Sequence, residues 1–495
     1  RDLIAAIGSI YIIMIASCSQ QGNSEFESTS PKTVSHESES RKDTLTGKND
    51  STYSNIRVED YVGPEVCGDC HKENYSDWKN HPHSRMNMLA TEESIVGDFS
   101  GVSVTYGENR AVFSKSDGEF FVEYFDAEKL VRRFRVTRTI GWRYEQNYIG
   151  IQELGPEPDG HPLYLNESRL RFSYSLGRHR WVPQSYLEPT EYPGSEYHSD
   201  GTLRYDPFVP QQLPFNKRCI HCHNTYPYDM RFYQVHSDFG MVTGFPPGPG
   251  SSEDIVKALV AEKGDQEFAP GTLPLDRLVT IGISCESCHF GGREHSYDKK
   301  EIRFVPTHPL LANWSLDHRE ARKDPKIVNS ICRQCHHSGF NAVDNWPDGS
   351  ASVNSMESIE LDRGACASEI RCTHCHDTHI SGPNAGAPDR QEHLAVCANC
   401  HQTFQSEAYV ASHSRHSLDQ ASCLDCHMPR IVQSFEVYNR SHRISSPTEQ
   451  TILASGMPNA CNLCHLDKSL AWTLVELEKG WQKKISLSGS LESLY

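Results

Sequence analysis

The sequence Cys-x-x-Cys-His occurs eight times in this chain of 495 residues. Numbered in chain order, motifs 1 to 8 are Cys67/Cys70/His71, Cys219/Cys222/His223, Cys285/Cys288/His289, Cys332/Cys335/His336, Cys372/Cys375/His376, Cys397/Cys400/His401, Cys423/Cys426/His427 and Cys461/Cys464/His465. This spacing is typical of c-type haem attachment, in which two thiols bond to the porphyrin vinyl groups and the adjacent histidine binds the iron. Only Cys18 and Cys366 of the 18 cysteines lie outside the motifs. The sequence therefore predicts eight covalently attached c-type haems, each with its proximal histidine in place.

Other uses of paired cysteines fit this pattern poorly. Disulfide frameworks serve small secreted domains that cannot build a sufficient core, and this chain is long. Structural zinc also uses Cys-x-x-Cys pairs, but it does not require a histidine directly after the second cysteine every time. A thioredoxin-like redox site needs one such pair rather than eight. The count and the recurring histidine therefore favour haem.

The motifs are unevenly distributed along the chain. Seven of them lie between Cys219 and His465, whereas none lies between His71 and Cys219. Seven large macrocycles would be attached along a short stretch of chain, so we expect the haems to lie near one another and to form most of the core. We predict a mainly α and irregular multihaem cytochrome c fold packed around eight haems. Its parts are a first haem segment (61–94), a seven-haem core (216–470) and a C-terminal helix (471–495).

The stretch between motifs 1 and 2 has a different pattern. Residues 102–151 alternate apolar and polar side chains between turn signals, which indicates an antiparallel sheet of three or four strands. Residues 155–215 are rich in Pro and Tyr and indicate an irregular connection. We therefore assign 95–215 to a small β-rich, haem-free insertion. A cover for one side of the haem core is favoured over a partner-binding module.

The N-terminal residues predict export. An apolar run of signal-peptide length spans residues 3–16 and follows Arg1. It ends in Ile15-Ala16-Ser17-Cys18, which resembles a bacterial lipobox, so 1–18 is assigned to a signal and lipobox segment. An uncleaved anchor or an ordinary export signal is the alternative. Residues 19–60 are polar and predict a disordered tether. We expect an exported periplasmic or cell-surface lipoprotein, tethered to a bacterial membrane.

The charge balance restricts the partners. The net charge is −17, and haem propionates would add to it. Nucleic-acid binding needs a basic surface, so nucleic acid is excluded as a partner. The charge fits redox partner proteins with a basic face, or a small inorganic oxidant or reductant. An oligomer or a filament stays open.

Chain reach limits which histidines can bind the far side of each iron. His379 lies three residues after His376, so the chain between them spans at most ~10 Å at about 3.3–3.6 Å per residue. It cannot pass round its own porphyrin, and as a ligand it must serve a neighbouring haem. The same reasoning applies to His295, six residues after His289. His413 and His416 share one face if helical, so they could serve two irons, or one iron and a proton relay.

Several segments resemble a known superfamily. They are Cys285-Glu-Ser-Cys-His-Phe-Gly-Gly-Arg-Glu-His295, Cys372-Thr-His-Cys-His-Asp-Thr-His379, His413-x-x-His416, and Cys423-Leu-Asp-Cys-His-Met-Pro429 followed by His442. Over residues 62–472 the chain is similar to octahaem c-type cytochromes of the hydroxylamine oxidoreductase and pentahaem nitrite reductase superfamily. The resemblance implies distal iron ligands at His295, His379, His413 or His416, and His442. It suggests His83 as well, through the segment from Trp78 to His83.

Function is left with three alternatives. No Cys-x-x-Cys-Lys motif occurs, so the lysine-ligated catalytic haem typical of the nitrite reductases is absent. The leading hypothesis is electron transfer along a chain of mostly bis-His haems. The second is a multihaem oxidoreductase acting at one open haem on a small nitrogen or sulfur compound of the nitrite, hydroxylamine or tetrathionate class. The third is a subunit of an extracellular haem filament or conduit.

Overall fold

The computed structural model of the protein describes the larger part of the chain after Thr52. The described residues are 53–184, 207–208, 210, 214–217, 219–233, 258, 261, 273–314, 318–337, 345–380, 390–433 and 437–487. All of them belong to one compact unit, which begins at Asn49. The predicted signal segment and residues 19–52 of the predicted tether lie outside the described residues.

Most of the helices lie after the strands that follow motif 1. The described α-helices are α1 (Pro64–Cys70), α2 (Lys72–Asn80), α3 (Pro162–Leu165), α4 (Ile220–His223), α5 (Arg293–Asp298), α6 (His318–Ala321), α7 (Pro325–Arg333), α8 (Glu357–Asp362), α9 (Arg390–Cys400), α10 (Glu407–Ser414), α11 (Cys423–His427), α12 (Gln450–Leu453) and α13 (Leu470–Trp481). Short 3-10 helices lie at Val58–Asp60, Phe215–Lys217, Tyr228–Tyr233, Leu275–Arg277, Cys285–Ser287, Pro309–Trp314, Cys372–His374 and Gln402–Gln405. Short helices and loops therefore carry the motifs, as predicted.

The strands form one large antiparallel sheet and two small ribbons. They are β1 (Asn87–Leu89), β2 (Val102–Tyr106), β3 (Asn109–Ser116), β4 (Glu119–Asp126), β5 (Lys129–Ile140), β6 (Glu145–Leu154), β7 (Ser168–Ser175), β8 (Arg180–Pro183), β9 (Asn224–Thr225), β10 (Thr280–Ile281), β11 (Arg430–Gln433) and β12 (Val437–Arg440). Strands β2 to β8 pair in chain order, and β1 pairs with the last residues of β5. The ribbons are β9–β10 and β11–β12.

The alternation of apolar and polar side chains along the strands explains why this region forms a sheet. Along β4 the side chains of Phe120, Val122 and Tyr124 are buried on one face, because successive residues of a strand point to opposite faces. They join a core rich in aromatic rings, in which Phe113 stacks on Trp181 with the ring centroids 3.6 Å apart. Each such buried side chain contributes about 1.5–3 kcal/mol through the hydrophobic effect. The sheet therefore has an apolar core of its own.

The sheet extends further than the sequence predicts. Strands β7 and β8 lie within 155–215, where we predicted an irregular connection. The prediction was wrong here, because neighbouring prolines and tyrosines obscure the alternation of Leu170, Phe172 and Tyr174, whose side chains are buried. The sheet holds more strands than the three or four expected.

One side of the sheet packs on the segment of motif 2. Ile140 of β5 and Ile149 of β6 belong to the same buried cluster as Ile220 and Tyr226. A hydrogen bond from Asn87 Nδ2 of β1 to Asn224 Oδ1, at 2.8 Å, adds a polar contact. These contacts favour the interpretation of the sheet as a cover over the motif region.

Residues 53–60 pack against the body, although the sequence assigns them to a disordered tether. Ile56 is fully buried, and Arg57 forms an ion pair with Asp229 at 3.3 Å. The packed part of the protein therefore begins before motif 1.

Two helices predicted from the sequence are confirmed. Helix α2 runs from Lys72 to Asn80 and ends just before Pro82, which cannot continue a helix. Helix α13 runs from Leu470 to Trp481, and Ser469 caps its N-terminus by accepting a hydrogen bond from Trp472 N. Its predicted extension to residue 495 is not helical at 482–487, because the chain turns at Gln482 with φ +55°. Among the residues that the structure describes, no helix is long and apolar enough to cross a membrane.

Candidate functional site

Six motif histidines each face one histidine from outside the motifs. The ring-centroid distances are 6.0 Å for His71–His295, 6.4 Å for His336–His83, 6.2 Å for His289–His379, 6.2 Å for His376–His442, 6.3 Å for His427–His413 and 6.1 Å for His465–His416. The six outer histidines are the six that the sequence predicts as distal candidates.

The separation fits an iron between two imidazoles. An imidazole nitrogen binds a metal at about 2 Å, and the ring centre lies about 1 Å behind that nitrogen, so a shared metal separates two ring centres by roughly 6 Å. Two rings in direct contact have closer centres, as at His81 and His83, whose tilted rings have centres 4.8 Å apart. The residues present therefore fit a haem iron in each pair, with the motif thiols beside it.

Burial favours the neutral imidazoles that bind metal. Desolvation lowers the pKa of His83 to about 3 and that of His289 to about 4. A metal ligand has to be deprotonated, so the protein holds these rings in the form that binds iron.

Each distal candidate comes from a part of the chain other than the motif it faces. His379 follows motif 5 but faces His289 of motif 3. The ring of His379 therefore lies beside a motif other than the one that it follows in sequence, which is the arrangement that chain reach requires if His379 is a ligand.

One short segment supplies two neighbouring pairs. His413, in the last turn of α10, faces motif 7, and His416 faces motif 8. Between them Arg415 turns the chain with φ +61°, so the two rings serve different motifs. Helix α13 holds this turn, because Trp481 Nε1 donates to His413 O at 2.6 Å and Arg415 Nη2 donates to Gly480 O at 2.7 Å.

A buried carboxylate inside motif 3 organises the pair of motif 1. Glu286 is 1% exposed and accepts hydrogen bonds from the backbone N–H groups of Val62, Gly63 and Gly292. Gly63, at φ +84°, leads into α1 and motif 1, whereas Gly292 precedes α5, which carries His295. Desolvation raises the pKa of Glu286 although these donors lower it. Glu286 thus fixes the backbone on both sides of the His71–His295 pair.

Motif 4 has a different support. His336 Nδ1 lies 3.0 Å from Glu357 Oε2, and both the N–H and the hydroxyl of Ser358 donate to His336 O. Burial lowers the pKa of His336, but the charge of Glu357 more than offsets this and raises it to about 9 in the haem-free chain. The first turn of α8 thus holds both the ring and the backbone of this ligand.

Thiols of different motifs lie side by side. In the described part of the chain, pairs of thiols that lie beside each other are Cys67–Cys285, Cys222–Cys335, Cys332–Cys372 and Cys397–Cys423. Cys335 is near enough to Cys288, Cys375 to Cys397 and Cys461 to Cys426 to affect the pKa of these thiols. Neighbouring motifs therefore lie near one another in the order 1–3–4–5–6–7–8, and motif 2 lies beside motif 4 and also beside motif 3, where Thr225 Oγ1 is 2.9 Å from Ser287 Oγ.

Three predicted haem-attachment cysteines lie at the surface of the chain. Cys70, Cys400 and Cys464 are exposed, whereas the other motif cysteines are partly buried. Cys70 and Cys400 end helices α1 and α9, and Cys464 lies in a turn closed by its own N–H donating to Cys461 O. Cys464 nevertheless stays close enough to Cys426 to affect its pKa, so the second cysteine of motif 8 lies beside motif 7.

Motifs 2 and 6 differ from the other six. In the ranges that the structure describes, neither His223 nor His401 has a ring contact with a histidine from outside the motifs at a similar separation. The surroundings of motif 2 are cationic and aromatic. The guanidinium of Arg231 lies 5.0 Å from the ring centre of Tyr226, and its Nη2 lies 3.8 Å from Cys335 Sγ.

Three functional side chains were missed in the sequence. His81 is buried and accepts a hydrogen bond from the backbone N–H of His83 at 3.1 Å. Glu286 and Glu357 are the other two. The sequence contains only a weak indication of Glu286, which lies between the two cysteines of a motif and therefore close to an attachment site. Glu357 has no such position, and no sequence feature points to it.

Comparisons with known proteins find cytochromes and a sulfite reductase. Residues 405–486 match the cytochrome c552 family and residues 66–99 match the cytochrome c554 and c-prime family. The chain is 20% identical over 410 residues to the dissimilatory sulfite reductase MccA of Wolinella succinogenes, covering 76% of this chain and 52% of that protein. It therefore spans about half the length of this curated relative. A solved structure, the outer cell wall cytochrome OcwA, aligns with a TM-score of 0.46 and 14% identity over 85% of this chain and 86% of that one.

The family matches cover motif 1 and motifs 7 and 8, whose paired histidines have the separation described above. The protein is a multihaem c-type cytochrome with covalently attached haem.

Proposed function

We propose that the protein is an octahaem cytochrome c that transfers electrons along a chain of haems, most of them ligated by two histidines. The observation that carries this proposal is the set of six imidazole pairs with centres 6.0–6.4 Å apart. Each bound haem would exchange one electron at its iron. The role of the chain is to supply both axial ligands and to keep the attachment sites in contact.

The continuity of the motifs supports transfer rather than isolated sites. Cys67 lies beside Cys285, and each later motif lies near enough to the next for their thiols to affect each other's pKa, as far as motif 8. Attachment sites this near one another would place neighbouring redox groups close together. A binding protein with independent haems would not need this continuity.

Mass spectrometry of the purified protein tests the haem count. We expect peptides of all eight motifs to carry haem at both cysteines, since every motif has the full attachment sequence and its own histidine. The measurement is intact mass followed by peptide mapping. Cys366, a cysteine outside any motif, serves as an internal control and should stay free of haem. Free thiols at any motif would contradict the octahaem assignment.

Export is part of the proposal, because covalent haem attachment in bacteria takes place outside the cytoplasm. The tether and lipidation of Cys18 stay predictions, since residues 1–52 lie outside the described part of the protein. A redox partner with a basic face is proposed from the net charge of −17. A filament or conduit subunit is the alternative assembly.

A multihaem oxidoreductase is the second candidate, and motif 2 is the observation that favours it. Its histidine is buried, Arg169 acts electrostatically on that histidine and Arg231 on Cys222, and Tyr226 Oη donates to His221 O inside the motif at 2.7 Å. Cations and a phenol of this kind would bind and orient a small oxyanion. The relative from Wolinella succinogenes is by name a dissimilatory sulfite reductase. On this proposal the substrate is a small sulfur or nitrogen oxyanion, and the other haems deliver electrons.

Carbon monoxide distinguishes the two functions. If electron transfer is the function, we expect the haems of the six motifs with paired histidines to bind little carbon monoxide in the reduced protein, because two protein ligands exclude it. An oxidoreductase should bind one equivalent and should oxidise a reduced viologen dye on addition of sulfite or nitrite. Replacing Arg231 with Lys should then weaken substrate use more than carbon monoxide binding, since a lysine cannot offer the planar fork of donors. Full carbon monoxide binding at several haems would contradict the bis-His proposal.

A further inference from the structure

The histidine of motif 4 is supported by a carboxylate. Glu357 Oε2 lies 3.0 Å from His336 Nδ1. With Nδ1 in this contact, Nε2 remains to bind iron, and it is the hydrogen bond at one ring nitrogen that fixes the role of the other. Ser358 holds the same residue through its backbone oxygen, with the hydroxyl donating at 2.7 Å. Ring and backbone are therefore both anchored in the first turn of α8.

Other paired histidines have neutral partners at the same nitrogen. Nδ1 of His295 contacts Lys300 O, that of His416 contacts Ser414 O, and that of His427 contacts Ser445 O. Asp377 approaches His379 Nδ1 only to 3.7 Å, beyond a hydrogen bond. His336 of motif 4 thus differs from His295, His416 and His427, because its Nδ1 contacts a negatively charged carboxylate rather than a neutral carbonyl oxygen.

A carboxylate at this position changes the iron as well as the ring. It makes a metal-bound imidazole more basic, and hydrogen bonding around the ligands is one of the means by which proteins set haem potentials. More electron density on the ligand stabilises the ferric over the ferrous state. We propose that Glu357 is a positioning residue that lowers the reduction potential of the haem carried by motif 4. This proposal rests on the haem binding proposed above.

Because motif 4 has several neighbouring motifs, the reduction potential of its haem would affect electron transfer among them. Cys335 lies beside Cys222 of motif 2 and near Cys288 of motif 3, and Cys332 lies beside Cys372 of motif 5. Motif 4 therefore lies next to motifs 2, 3 and 5, although motif 2 also adjoins motif 3, where Thr225 Oγ1 and Ser287 Oγ are 2.9 Å apart. A lower reduction potential at motif 4 would keep electrons on the haems of the neighbouring motifs rather than on the haem of motif 4.

The ring angle gives this haem its own spectroscopic signal. The planes of His83 and His336 are 65° apart, whereas the other five pairs have angles of 14–50°. Low-spin ferric haems with steeply crossed imidazoles give an electron paramagnetic resonance signal at a large maximal g value, and those with near-parallel planes give rhombic spectra. Among the six motifs with paired histidines, we therefore expect the signal at largest g to come from motif 4, and its loss in a His83→Ala variant would identify it.

A redox titration followed at this signal tests the proposal. The variant Glu357→Gln keeps the shape of the side chain and removes the charge. We expect it to retain low-spin haem and to raise the midpoint potential of the large-g signal, with the rhombic signals moving less. Glu357→Asp keeps the charge but withdraws it from the ring, so we expect a smaller rise. Glu476→Gln, which removes an exposed charge of α13 paired with Lys479, is the matched control and should leave the potential unchanged.

The outcomes separate this proposal from the one on which it rests. Equal potentials of the large-g signal in the wild type and both Glu357 variants would overturn the role of Glu357 while leaving the octahaem assignment intact. Absence of haem at motif 4 in the wild-type peptide map would instead refute the underlying haem proposal. A potential that shifts as much in the Glu476→Gln variant would mean that net charge, rather than the contact with His336, sets the value.

Discussion

Replacing His379 with alanine should convert one haem from low-spin to high-spin and open it to carbon monoxide or cyanide. The structure places this ring 6.2 Å from that of His289, so the affected iron should be that of motif 3 rather than motif 5. The reason is the loss of one strong axial ligand at a single iron. Electron paramagnetic resonance of the oxidised protein and the carbon monoxide difference spectrum of the reduced protein measure the change.

A nearby histidine provides the control for this variant. His374 lies inside motif 5, and its Nε2 accepts a hydrogen bond from Arg371 Nε at 2.9 Å. Because that nitrogen is occupied, His374→Ala should leave all spin states unchanged. Identical spectra for the His379→Ala variant and the wild type would show that His379 is not a ligand.

Replacing Glu286 with alanine should have the largest effect on stability. Three buried backbone N–H groups, of Val62, Gly63 and Gly292, would lose their acceptor. Each buried donor left without a partner costs about 1–3 kcal/mol, so the loss is several kcal/mol in the free energy of unfolding. Denaturant titration followed at the Soret band measures it. We also expect high-spin character at motif 1, because Glu286 fixes the segments that carry both His71 and His295.

Asp69 supplies the comparison for Glu286. It also lies inside a motif, between Cys67 and Cys70, but it is exposed. Asp69→Ala should therefore leave the unfolding free energy within about 0.5 kcal/mol of the wild type. Equal stability of the Glu286→Ala and Asp69→Ala variants would contradict the positioning role of Glu286.

The predicted distal histidines should also stabilise the fold. His295, His379 and His442 each face a motif other than the nearest one in sequence. Iron bound by both rings would join segments distant in the chain. Metal binding then contributes to folding, and we expect loss of one ligand to weaken contacts at two motifs.

The sequence by itself determined the chemistry of attachment. Two thiols and a histidine at fixed spacing are local features, so no folding is needed to read the motifs. Chain reach was informative for the same reason: three residues cannot carry His379 round its own porphyrin. Helices α2 and α13 also follow from local signals, the proline at position 82 and the apolar spacing of residues 470–481.

Only the tertiary structure decided which ring faces which. His83 faces motif 4 because Trp78 Nε1 donates to Ile283 O and Ile283 N donates to His83 O, which fixes its segment beside the residues that precede motif 3. No sequence pattern encodes that contact. The order of the motifs in space, the pairing of Glu357 with His336 and the burial of Glu286 likewise join residues far apart along the chain. Such contacts result from packing, so local sequence patterns cannot specify them.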